Sequence, residues 1–106
     1  MNEDNLEKRV ENLISELIRL HDVEQHLAVR EILLNERNLK PGPNERAFIQ
    51  LRREILQKIF HDLLMINIES SVFQEVFQEM IPSQQQKVYQ KRLNELQQKI
   101  EFLLAG

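Results

Sequence analysis

The chain has 106 residues, 42% hydrophobic and 29% charged, with a formal net charge of -3. That balance belongs to a globular chain rather than a disordered or membrane-embedded one, and the length supports one hydrophobic core but not two, so residues 1–106 are read as a single domain. With no Cys there is no disulfide, thiolate ligand or thiol nucleophile, and with Gly only at Gly42 and Gly106 there is no glycine-rich phosphate loop.

Strong helix formers dominate, Val and Tyr are few, and Thr and Trp are absent. Summed over long windows, this predicts an all-α chain. The architecture expected is a small antiparallel helical bundle: a long N-terminal helical hairpin, a short helix and a C-terminal amphipathic helix, completed by oligomerisation. No run approaches the roughly 18 apolar residues of a membrane span, and the acidic start, Met1 to Asp4, is unlike a secretory signal. A cytoplasmic protein with no membrane contact is expected.

In the first stretch Leu6, Leu13, Leu20, Leu27 and Leu34 recur every seventh residue, with Val10 and Leu17 between them. Such spacing makes an apolar seam on a long helix, and Ile14 and Ile18 broaden it toward a bundle face. Asp4 and Glu7 have the spacing of a capping box. Beyond His21 the seam positions matching Val10 and Leu17 become Glu24 and Glu31, while Val29, Ile32 and Leu33 place apolar groups on other sides. A break with Asp22 and Gln25 as a second box is one reading. Because no Gly or Pro enforces it, a continuous or merely kinked helix to about Asn38 is preferred.

Pro41, Gly42 and Pro43 mark a sharp corner, with Asn44 as candidate cap for a helix over residues 45–67. In that helix Phe48, Ile49, Ile55, Leu56, Ile59, Phe60, Leu63 and Ile66 fall within an arc of about 140°. Ser71 with Gln74 is expected to cap a short helix bearing Phe73 and Phe77. Pro82 ends it, and Ser83 with Gln86 opens the last, where Tyr89, Leu93, Leu96, Ile100 and Leu103 form a narrow seam.

Residues 1–36 carry nine acids against four bases, and residues 37–66 carry three against six. This asymmetry suits pairing between the first two long helices. A simple fold-back at the corner sets Leu20 level with Leu63 and Arg52 level with Glu31. Arg52 is the one charge within its apolar arc and Glu31 lies on a seam, so a register-fixing ion pair is expected between them.

Three functional readings compete. The apolar faces exceed what a small core should absorb, which points to a non-enzymatic protein-interaction module, an adaptor, chaperone or regulatory subunit, pairing with itself or another chain. Its interface is expected at Leu6, Val10, Leu13, Leu17, Phe73, Phe77, Tyr89, Leu93, Leu96, Ile100 and Leu103. The alternative is a nucleic-acid-binding regulator using Arg46 and Arg53, seven apart on the wet face of the second helix; Glu54 beside them and the acidic overall balance count against it. The third is a metal-dependent hydrolase built on His21, Asp22, His61 and Asp62, since His-Asp pairs on facing helices supply the ligands that phosphohydrolases of the HD type use. His61 points away from its helix's apolar face, so the four do not converge, and no catalytic residue, metal or cofactor is assigned.

Overall fold

The computed structural model describes residues 3–106, and it contains four helices: α1 (Glu3–Glu36), α2 (Pro43–Leu63), α3 (Ser71–Met80) and α4 (Gln86–Ala105), with no strand among the described residues. α1 is unbroken past His21. At about 1.5 Å per residue its 34 residues measure about 51 Å, so α1 runs the full 52 Å length of the molecule. The expected Asp4 box lies outside the described side chains.

α1 ends in a Schellman cap centred on Asn38, whose φ of 52° places it in the left-handed region that Asn tolerates better than most residues. The Leu39 amide donates to the Leu34 carbonyl at 2.9 Å and the Asn38 amide to Asn35 at 3.3 Å, satisfying two carbonyls that the helix end leaves free. α2 then starts with Pro43 in its first turn. The cap is Gly42 rather than Asn44: the Gly42 amide donates to the Glu45 carboxylate at 3.0 Å, so the acid three residues on closes the helix start.

The remaining junctions also differ in detail from expectation. Past Leu63 the Asp62 carbonyl accepts from the amides of Met65 and Ile66, turning the chain so that Ile66 and Ile68 fold back into the core. α3 is capped by Ser70, which accepts from the Phe73 amide at 3.2 Å, not by Ser71. Before α4 the Gln85 amide bonds the Pro82 carbonyl, while Gln86 sends its side-chain amide to the Ile81 carbonyl instead of completing a box with Ser83.

The core gathers on the inner two-thirds of α1. Val10, Leu13, Ile14, Leu17, Leu20 and Val23 are buried there, and Ile55, Ile59 and Leu63 of α2 cover one side. Phe73, Val76 and Phe77 of α3 add to the same core, the two phenyl rings 5.9 Å apart and nearly parallel. A groove lined by Glu7 and by Ser71, Val72 and Glu75 places α3 beside the first turns of α1. α4 closes the core with Tyr89, Leu93, Leu96 and Ile100.

The residues expected at a partner interface therefore have a different place. Val10, Leu13, Leu17, Phe73, Phe77, Tyr89, Leu93, Leu96 and Ile100 are buried within the chain itself, and Leu6 packs partly against them. The broad seam of α1 is not surplus, because three other helices share it. Only Leu103 of that set stands free, 67% exposed.

Candidate functional site

The outer part of the hairpin, residues 24–36 of α1 and 43–54 of α2 with the corner between them, is built differently from the rest. Outward of Val23 no apolar side chain of α1 is buried, and none of α2 is buried before Ile55. The one buried side chain here is a charge, Glu45, 7% exposed. Arg30 holds it, with Nε donating to its Oε1 at 2.8 Å and Nη2 donating to the same oxygen. With the Gly42 amide on the other oxygen, three donors meet the carboxylate, and Arg30's hydrogen bonds hold the Glu45 carboxyl below its ordinary value of 4.5.

A second charged cluster closes the base of this arm. Glu24 accepts from Arg92 of α4 through both carboxylate oxygens, at 3.1 and 2.8 Å, and from Arg52 Nε of α2 at 2.8 Å. One carboxylate thus ties three helices together, in the bidentate geometry that guanidinium favours. This corrects the expected pair: the partner of Arg52 is Glu24, and Glu31 lies exposed one heptad further out. Arg30–Glu45 and Glu24–Arg52 both show α2 shifted about two turns along α1 from the simple fold-back.

With its register set by charges at both ends, the arm leaves its apolar side chains uncovered. Val29 is 55% exposed, Ile32 59%, Leu39 55% and Ile49 39%. Leu27, Leu33, Leu34, Phe48 and Leu51 are half-buried. His26 rests against Phe48, ring centroids 4.1 Å apart. A cleft of about 430 Å³ opens between the two helices, lined by Leu27, Leu34, Leu39 and Ile49 and framed by Arg30 and Arg52. Such a surface has room to cover an apolar side chain beside the charged groups that frame it. The sequence signal for it was Val29, Ile32 and Leu33 leaving the seam, but a residue off one seam does not say whether another helix arrives to cover it. A smaller apolar patch lies at the end of α4, where Phe102, Leu103 and Leu104 are exposed.

The other expected sites do not assemble. His21 packs on Tyr89, ring centroids 4.8 Å apart, whereas His61 is exposed. Burial raises the Asp62 carboxyl above its ordinary 3.8, the His61 and Arg9 charges oppose this, and the Glu16 charge adds to it. No group of three or more His, Asp or Glu able to hold a metal ion occurs among the described residues. Arg46 and Arg53 are both exposed, but Arg46 leans back on the Pro41 carbonyl at 3.4 Å, and Glu54 shares their face. No helix among the described residues is long and apolar enough to cross a membrane.

Comparisons with protein-family models, curated proteins and solved structures return no match for this chain.

Proposed function

We propose that the protein is a non-enzymatic protein-interaction module, an adaptor, chaperone or regulatory subunit of the cytoplasm, that binds through the apolar arm at the corner of its hairpin. The observation that carries this reading is the exposure of Val29, Ile32, Leu39 and Ile49 on a pair of helices already locked in register by Arg30–Glu45 and Glu24–Arg52. Apolar side chains left exposed on helices already held in register suit partner recognition, since little ordering entropy is lost on binding. The buried core supplies the support, and the arm supplies the contact. The lack of Cys suits the reducing compartment assigned here.

Site-specific photo-crosslinking in the native host tests the reading. A photoreactive side chain at Ile32 is expected to give discrete protein adducts, and the same group at Gln57, on the wet face of α2, is expected to give none. Equal labelling from both positions, or none from either, would overturn it. Binding of generic duplex DNA at low salt that weakens steeply as salt rises would instead favour a regulator acting through Arg46 and Arg53.

A further inference from the structure

We draw no further inference here: the strongest candidate, the apolar patch of Val29, Ile32 and Ile49 left exposed on the outer arm of the hairpin, is an unpartnered face, and nothing in the structure shows what covers it.

Discussion

Replacing Glu24 with Gln keeps the side chain's length and removes the charge that three guanidinium N–H groups share. Glu24 is 25% exposed at its side chain, Arg52 39% and Arg92 29%, so the cluster is neither a surface pair nor a sealed one. Exposed pairs contribute about 0–1 kcal/mol, and breaking a fully buried pair costs about 3–5 kcal/mol. Discounted for solvent access, Glu24→Gln should cost about 1–2 kcal/mol, lowering Tm by about 5–10 °C in a chain of this size. The sharper assay is a pair of double-mutant cycles read by urea unfolding, with Arg52→Met preserving the packing of the side-chain stem. Glu24 and Arg52 should couple by about 0.5–1 kcal/mol, and Glu31 and Arg52 should be additive within about 0.5 kcal/mol. Coupling of Arg52 to Glu31 and not to Glu24 would refute the register of the hairpin, and with it the shape of the arm.

Other perturbations follow from the same geometry. Because Arg30 lowers the folded-state pKa of Glu45, the pair's contribution is fully present above pH 4.5 and fades as pH falls through the lower folded value; Glu45→Gln should therefore flatten the acid limb of a stability-versus-pH curve. Asp62 behaves oppositely. Its raised folded pKa means stability declines as pH climbs from 3.8 through the folded value, so Asp62→Asn should raise Tm at neutral pH and make no such gain in acid. At the αL position that ends α1, Asn38→Gly should stabilise by roughly 0.5 kcal/mol and Asn38→Ala destabilise by about 1 kcal/mol in thermal unfolding. If Ala were tolerated there as well as Gly, the Schellman cap would not be what ends the helix.

Much of the fold was legible because its punctuation is chemical. Pro41, Gly42 and Pro43 stop one helix and start another, Pro82 follows the end of α3, and the lack of Gly or Pro in α1 lets it run unbroken to Glu36. The register was not legible, for a reason of periodicity. Seven residues make nearly two whole turns, so Glu24 and Glu31 present almost the same face and differ only in height. The chain between Asn38 and Pro43 decides the height, and its path follows from a Schellman cap that a single Asn does not announce. The division between core and contact surface was misread for a related reason: periodicity shows that Leu13 and Leu96 need cover but not who provides it. α3 and α4 provide it within the chain, and both residues are fully or nearly fully buried. Of the residues left uncovered, Val29 and Ile32 are ones that leave the seam, whereas Ile49 lies within the apolar arc of α2 and is uncovered because no third helix reaches it.

That the outer turns of the hairpin, beyond the core-packed Leu27, Phe48 and Leu51, stand outside the core is the claim on which the functional account depends. Native-state hydrogen exchange along α1, in dilute protein, measures it directly. Amides of residues 13–23 should exchange only through global unfolding, while those of residues 28–34 should exchange through a smaller opening of lower free energy. Equal protection along the whole of α1 in the dilute monomer would contradict the account.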